Sequence, residues 1–250
     1  MKPKLRRKRL DQLLVERGIA ESAQKALGMI LAGEVSVDGN RQDKAGAQIA
    51  ESARIELTSR SQKYASRGGI KLEGALADFL VSVERLVCLD VGSSTGGFTD
   101  CLLQHGAARV YAVDVNVDQI AWKLHEDARV TQIEKNAREL RAADVPELID
   151  VVVADVSFIS VGRVLTPAAA TAKAGSEWLI LIKPQFELPR EDVKPGGIVE
   201  DRGLHEKAIA AVRLAAEAAG LDCLAVMASR LTGTEGNQEY FLHARKKPVG

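Results

Sequence analysis

From Val87 onward, short apolar runs alternate with helical patterns, and this alternation restricts the possible folds more than any other feature. Runs at Val87–Val91, Val110–Val115, Val130–Ile133, Val151–Ala154 and Trp178–Ile182 have the length of strands buried on both faces. Helices are expected at Phe98–His105, around Val161–Ala174 and at His205–Ala219, with two more strands near Cys223–Ser229 and Tyr240–Ala244. Strands separated by helices build a doubly wound, mostly parallel α/β sheet. The last two strands lie close together in sequence, so the pair should include an antiparallel one. Such sheets bind ligands beyond the carboxyl ends of their strands, near the switch in strand order. Polar residues at strand ends are therefore the first candidates for chemistry.

Hydrophobic residues make up 46% of the 250, enough for a real core, and charged residues 27%. No apolar run approaches the roughly 18 residues of a membrane span. The basic N-terminus is not followed by the apolar stretch of a secretory signal, so a cytoplasmic location is expected. Cys88, Cys101 and Cys223 are widely separated, which suggests reduced thiols in the core. The four histidines are scattered, and no metal site is expected. A net charge of zero conceals an asymmetry: residues 1–60 hold 12 Lys+Arg against 8 Asp+Glu, leaving 22 against 26 for the rest of the 34 and 34. The N-terminal segment thus reads as facing a polyanion.

That segment also has its own fold signals. Leu10, Leu13 and Leu14 form an apolar stripe closed by Gly18. Ser22 caps a second helix with Ala23, Ala26, Leu27, Ile30 and Leu31 on one face, ended by Gly33. Val35 and Val37 alternate before an Asp38-Gly39 hairpin turn, and Ile55 and Leu57 read as a returning strand. The order Arg9-Leu10-Asp11, Leu13-Leu14, Gly18, Ser22, Ala26, Ile30, Gly33, Val35 and Val37-Asp38-Gly39 resembles the small α+β RNA-binding fold of the ribosomal S-four type. By that resemblance Arg6, Arg7, Arg9, Arg17, Lys25 and Arg41 would contact phosphates, with Arg67 added from the next segment. Few aromatic residues precede Tyr64, so shape recognition of folded RNA fits better than base stacking for this domain. The expected division is an RNA-binding domain over 1–60, a polar linker over 61–66 and a larger domain over 67–250.

After the first strand of the larger domain comes Asp90-Val91-Gly92-Ser93-Ser94-Thr95-Gly96-Gly97-Phe98. Its glycine spacing is not that of a dinucleotide site. Asp114 ends the second strand, where an acid can accept hydrogen bonds from both hydroxyls of a ribose. The turn resembles the first motif of S-adenosylmethionine-dependent methyltransferases of the Rossmann-like class I fold. By that resemblance Asp90, Gly92, Ser94, Gly96, Gly97 and Phe98 surround the cofactor, Asp114 grips its ribose, and Asn136 neighbours the adenine.

Four further polar residues stand where chemistry is expected: Lys71 at the entrance to a helix whose apolar face is Leu72, Leu76, Phe79 and Leu80, Asp155 after the fourth strand, Lys183 after the fifth, and Glu239 opening the last. Each alone has a bland reading as a solvated strand end. Together, Lys-Asp-Lys-Glu in this order resembles the catalytic set of RNA 2′-O-methyltransferases of the FtsJ/RrmJ type. The flanking runs around Lys71, Gly92–Phe98, Asp155–Ser160, Lys183–Glu187, Gly196–Val199 and Gly236–Phe241 resemble the TlyA family, also labelled hemolysin A. The resemblance implies methylation of a cytidine ribose in ribosomal RNA, with rRNA or ribosomal subunits as partners and no obligate protein partner or membrane. Lys183 would act on the attacking hydroxyl, as general base if neutral or electrostatic stabiliser if charged; Asp155 would orient it; Lys71 and Glu239 would hold the target ribose. No Pro-Pro-aromatic run follows Asp155, and no cysteine lies near it, so base-amine and carbon-5 methylation fit worse. The alternatives are a non-catalytic ribosome-associated RNA-binding factor and a membrane-active hemolysin.

Overall fold

The computed structural model describes residues 7–31, 33–57, 63–194, 196–233 and 236–248. The chain divides into two compact units, Met1–Lys63 and Tyr64–Gly250.

The first unit contains β1 (Arg7–Arg9), α1 (Leu10–Glu16), α2 (Ala23–Leu31), β2 (Val35–Val37), β3 (Asn40–Arg41), β4 (Gln48–Ala50) and β5 (Ile55–Leu57). Leu10, Leu14, Ala26, Ile30 and Val35 are fully buried in one small core, as their spacing requires. The Ser22 hydroxyl accepts from the Lys25 backbone N–H at the start of α2. Gly33, at φ 69°, ends it, with its N–H bonded to the Ile30 carbonyl. Asp38 and Gly39 both have positive φ, 51° and 80°, and join β2 to β3 with Val37 opposite Asn40. This is the two-residue hairpin that Asp-Gly favours. The pairing of β1 with β4 is a finding of the structure; both strands are too short and polar to announce themselves.

The second unit begins with α3 (Arg67–Asp78), β6 (Val87–Val91), α4 (Gly97–Gln104), β7 (Arg109–Asp114), α5 (Trp122–His125) and β8 (Val130–Glu134). It continues through β9 (Ile149–Ala154), α6 (Gly162–Ala169), β10 (Ala172–Ile182), α7 (Pro184–Glu187), α8 (Arg202–Ala218), β11 (Leu221–Ala228) and β12 (Tyr240–Lys246). Among the described residues seven strands form one sheet in the order β11-β12-β10-β9-β6-β7-β8. Pairings are parallel from β10 to β8, while β12 runs antiparallel to both β10 and β11. Strand order reverses between β6 and β9, which makes their carboxyl ends the switch point. One face of the sheet packs Trp178, Ile180 and Leu242 against Val164 and Leu165 of α6 and Val212 of α8. The other packs Leu179, Leu181 and Phe241 with Leu72 and Leu76 of α3 and Leu102 of α4.

Three expectations need correction. The helix expected over Val161–Ala174 ends at Ala169, because β10 already begins at Ala172. Leu80, placed on the apolar face of α3, is 90% exposed with φ 55°; it follows the helix cap at Phe79 and so leaves the helical repeat. Tyr64 and Ala65, placed in the linker for their polar surroundings, belong to the larger unit: Tyr64 is 1% exposed in its core, and the Ala65 N–H donates to Asp100 Oδ2 at 2.7 Å. Ser66 then caps α3. Residues 61 and 62 of the expected linker lie outside the described residues.

Candidate active site

Sheet register decides which side chains meet. Ile182 of β10 lies opposite Tyr240 of β12, so the next residues outward, Lys183 and Glu239, leave the same sheet edge from adjacent strands. Ala154 of β9 pairs with Ile180 of β10 and with Val91 of β6. Asp155 therefore emerges beside them, its N–H held by the Val91 carbonyl at 2.9 Å. The fourth residue arrives from the helical layer: Lys71, on α3, forms an ion pair with Glu239. Lys183 forms an ion pair with Asp155 and donates to the Ser157 hydroxyl at 2.9 Å. Two amines and two acids distant in the chain thus stand as two ion pairs at one edge of the sheet.

The first turns of α3 and α4 bring Lys71 there. A Cβ on Gly69 would sit 2.7 Å from the Gly97 carbonyl oxygen, and one on Gly97 would sit 2.1 Å from Ser66 Oγ. Only two glycines allow these helices to approach backbone to backbone. Lys71 and Glu239 are 8% and 2% exposed. Deleting one partner of so buried a pair strands the other charge and costs about 3–5 kcal/mol.

Asp90 is fully buried below the turn. Its Oδ2 accepts from the Thr99 hydroxyl at 2.6 Å, and its Oδ1 has no hydrogen-bond partner among the described residues. Burial pushes its carboxyl up from 3.8 to about 7, helped by the charges of Asp155 and Asp114 and opposed by the Thr99 bond. Between those two pH values the folded chain keeps a proton that the unfolded chain releases. Stability should therefore fall as pH rises from 3.8 to about 7 and level off above. Asp90→Asn should flatten that slope and, at pH 8, stabilise the ligand-free protein by on the order of 2–4 kcal/mol. Urea unfolding of both forms at pH 5 and pH 8 measures it; equal slopes would show that Asp90 folds ionised.

The turn's glycines are closely packed against protein. A Cβ on Gly92, at φ 86°, would lie 2.3 Å from the Asp155 carbonyl oxygen, and one on Gly96 2.3 Å from Leu124 Cδ1. Gly96 and Gly97, expected to line a cofactor, are buried against protein, whereas Gly92 is half-buried and Ser94 exposed. Phe98, expected in the same role, is 3% exposed in the core and stacks on Phe241 at 6.1 Å. Asp114 faces the turn: one oxygen accepts from the Ser94 N–H at 2.9 Å and the other from the Asn116 N–H at 3.1 Å. Each oxygen keeps a second lone pair. Asn136 caps a short turn through its oxygen, which accepts from the Arg138 N–H at 3.1 Å.

Some neighbours of the site were not singled out from sequence. Ser157 is one. Asn237, 1% exposed, accepts from the Val199 N–H and donates to the Gly197 carbonyl, each at 2.8 Å, and so braces the segment that leads into Glu239. His205 bridges the Tyr240 hydroxyl and the Val199 carbonyl, both at 2.7 Å. Phe158 is 87% exposed at φ 68° and tilts against Phe186, ring centroids 5.5 Å apart. A strained, exposed aromatic ring three residues after Asp155 has no packing explanation.

Known proteins resemble this chain over most of its length. The FtsJ-like methyltransferase family matches residues 64–246, and the S4 domain matches residues 8–55. A 16S/23S rRNA (cytidine-2′-O)-methyltransferase TlyA of Mycobacterium tuberculosis is 42% identical over 242 residues, 96% of this chain and 90% of that protein. The chain belongs to the TlyA family of FtsJ-like methyltransferases. Hemolysin A of Brachyspira hyodysenteriae is 41% identical over 237 residues, covering 94% of this chain and 98% of that one. Among solved structures, a Streptococcus thermophilus protein carrying the hemolysin label superposes with a TM-score of 0.75 at 38% identity, covering 98% of this chain and 90% of its own. An S-adenosylmethionine-dependent methyltransferase from Mesorhizobium loti, 16% identical, shares the fold with a TM-score of 0.53, covering 70% of this chain and 98% of its own. The hemolysin label finds no counterpart in a spanning helix: among the described residues none is long and apolar enough to cross a membrane.

Of the basic residues expected at RNA, the S4 unit separates two kinds. Arg17 donates to the backbone carbonyls of Ala53 and Glu51 at 2.9 and 2.6 Å, and Arg9 pairs with Asp11. Arg7 and Lys25 are exposed, with no ion-pair partner among the described residues. Arg67, in the larger unit, is exposed and reaches the Thr232 carbonyl at 3.4 Å. Arg6 and the side chain of Arg41 lie outside the described residues. Arg17→Ala should cost about 1–2 kcal/mol of stability. Lys25→Ala should leave stability unchanged and lower the slope of log affinity for RNA against log salt by about 1. Thermal unfolding and salt-series binding distinguish them; identical behaviour of the two variants would contradict the division.

Proposed function

We propose that this protein uses S-adenosylmethionine to methylate a cytidine ribose 2′-hydroxyl of ribosomal RNA in the cytoplasm. The observation that carries the reading is the pair of ion pairs, Lys71–Glu239 and Lys183–Asp155, at the switch-point edge of the sheet. The TlyA relative named for this reaction supports the substrate, and the S4 unit with its exposed Arg7 and Lys25 supplies a means of holding folded RNA.

The residues present fit the cofactor. Asp90 Oδ1, buried without a hydrogen-bond partner among the described residues, is left for an ammonium group or a water bridging to one. Asp114, oriented by the Ser94 and Asn116 N–H groups, keeps lone pairs for two ribose hydroxyls. When bound, the sulfonium supplies an electrophilic methyl group.

The chain's own contribution is then positioning and charge. A ribose hydroxyl is a poor nucleophile at neutral pH, and in-line attack demands short range. Lys183 acts on that hydroxyl. Its ion pair with Asp155 and its hydrogen bond to Ser157 fix the amine's direction and leave it a further donor position for the developing alkoxide. Lys71 and Glu239 hold the target ribose. The exposed Phe158 ring offers a base a stacking face beside the reacting sugar. The experiment is transfer of a labelled methyl group from S-adenosylmethionine to ribosomal subunits. The product should resist alkaline cleavage at one ribose. Absence of transfer, with no heat of S-adenosylmethionine binding in the presence of RNA, would favour a binding factor instead.

A further inference from the structure

We propose that Glu187 is a positioning residue of the reaction: its carboxylate clamps the turn that carries Asp155 and Ser157 to the short helix that begins at Lys183. The proposal rests on the reading of Lys183 as the group at the attacking hydroxyl.

The two halves of the Lys183–Asp155 pair lie on different segments. Asp155 and Ser157 belong to the turn between β9 and α6. Lys183 is the cap residue of α7, a single turn of helix, and Glu187 is its last residue. The Glu187 carboxylate reaches back to the β9–α6 turn with both oxygens. Oε2 accepts from the Ser160 hydroxyl at 2.6 Å, and Oε1 accepts from the Val161 N–H at 2.8 Å. The Ser160 hydroxyl in turn accepts from the Gly162 N–H at 3.2 Å. Among the described residues the other polar and ring contacts between the two segments are the Lys183–Asp155 ion pair, the Lys183–Ser157 hydrogen bond and the tilted Phe158–Phe186 pair. Phe158 is 87% exposed and in a strained conformation, so it is a weak anchor. Glu187 is thus the polar tie that sets the separation of the two segments independently of the reacting groups. Burial pushes its carboxyl up, against the pull of its two hydrogen bonds, so the site bears a cost for holding an acid there. The same bonds also close the start of α6, a purely structural duty, and the test must separate the two.

A misplacement of about 1 Å in such a site costs about 10²-fold in rate. Glu187→Ala should therefore lower kcat for methyl transfer to ribosomal subunits about 100-fold. KM for the subunits and Kd for S-adenosylmethionine should stay within twofold, while the melting temperature falls by several degrees as the cap of α6 is lost. Glu187→Gln, which can still accept from Val161, should recover at least a third of kcat. Amide hydrogen exchange over 155–162 should accelerate in Glu187→Ala while the sheet strands stay protected. If Glu187→Ala fails to fold, Ser160→Ala decides, with an expected loss of about tenfold in kcat. Normal kcat in Glu187→Ala, or in Ser160→Ala where that variant decides, overturns the clamp. So does a loss matched in full by lost cofactor affinity. Lys183→Ala run in parallel separates the two levels: if it turns over normally, the reading of Lys183 and the clamp fall together; if it is inactive while Glu187→Ala is normal, the clamp alone falls.

Discussion

Lys183→Ala is expected to reduce methyl transfer about 10³-fold while leaving the fold and the affinity for S-adenosylmethionine close to normal. Removing one preorganised donor aimed at developing negative charge costs about 10²–10³ in rate, and removing a general base about 10²–10⁴. The expected loss is the same whichever way the amine acts. Some stability should be lost, because the Asp155 oxygen left behind is itself buried, but less than for Lys71, since the rest of that carboxylate side chain is 22% exposed. Lys71→Ala is a poorer test of chemistry: it strands Glu239, only 2% exposed, and should cost about 3–5 kcal/mol before any rate is measured. Lys183→Arg should not rescue, since the planar guanidinium cannot take up the bonds to Asp155 and Ser157 from the same point. Tritiated methyl transfer to ribosomal subunits, with calorimetry of cofactor binding, gives both numbers. Turnover of Lys183→Ala within threefold of the parent would remove Lys183 from the mechanism.

The sheet was legible because its strands are buried on both faces. Val151–Ala154 and Trp178–Ile182 are apolar at every position, and a run of that length between helical patterns has few other homes. The strand-end polar residues followed from it: once β9 and β10 are drawn, Asp155 and Lys183 can lie only at their carboxyl ends. Pairing was another matter. Which lysine meets which acid depends on the register Ile182 to Tyr240 and on α3 crossing the sheet face, neither of which has a local signal.

The misread residues share a cause. Tyr64 looked like linker because its neighbours are polar, but its burial comes from contacts with residues far along the chain, Cys101 and Leu102 among its core companions. Leu80 looked like core because it continues an apolar row, but the helix stops before it. Ser157, Asn237 and Glu187 are small or ordinary polar residues whose roles lie in hydrogen bonds to other segments. Composition and spacing report the side a residue presents within its own element. They do not report the partner it finds across a gap.

The second large effect is expected at Gly92. Gly92→Ala should destabilise the protein by about 2–5 kcal/mol and abolish transfer even in the fraction that folds. Two separate penalties add. At φ 86° an L side chain suffers the left-handed clash of Cβ with the following carbonyl, about 1–2 kcal/mol. The new Cβ would also lie 2.3 Å from the Asp155 carbonyl oxygen and 3.0 Å from its carbonyl carbon. That neighbour is backbone, not the loose end of a side chain, so relief requires β6 and β9 to part where the Asp155 N–H bonds the Val91 carbonyl, and overpacking of this kind costs about 1–3 kcal/mol. Any shift carries Asp155 with it, and with Asp155 the orientation of Lys183. Gly106→Ala is the matched control for backbone strain alone: φ is 88° there, and the nearest atom to the added carbon, at 3.3 Å, is in the Glu84 side chain. It should cost the first penalty and leave kcat unchanged. Urea unfolding and methyl transfer measured on both variants decide the matter. A Gly92→Ala protein that is as stable and as active as Gly106→Ala would mean that the contact between the glycine turn and the Asp155 backbone does not hold the site in place.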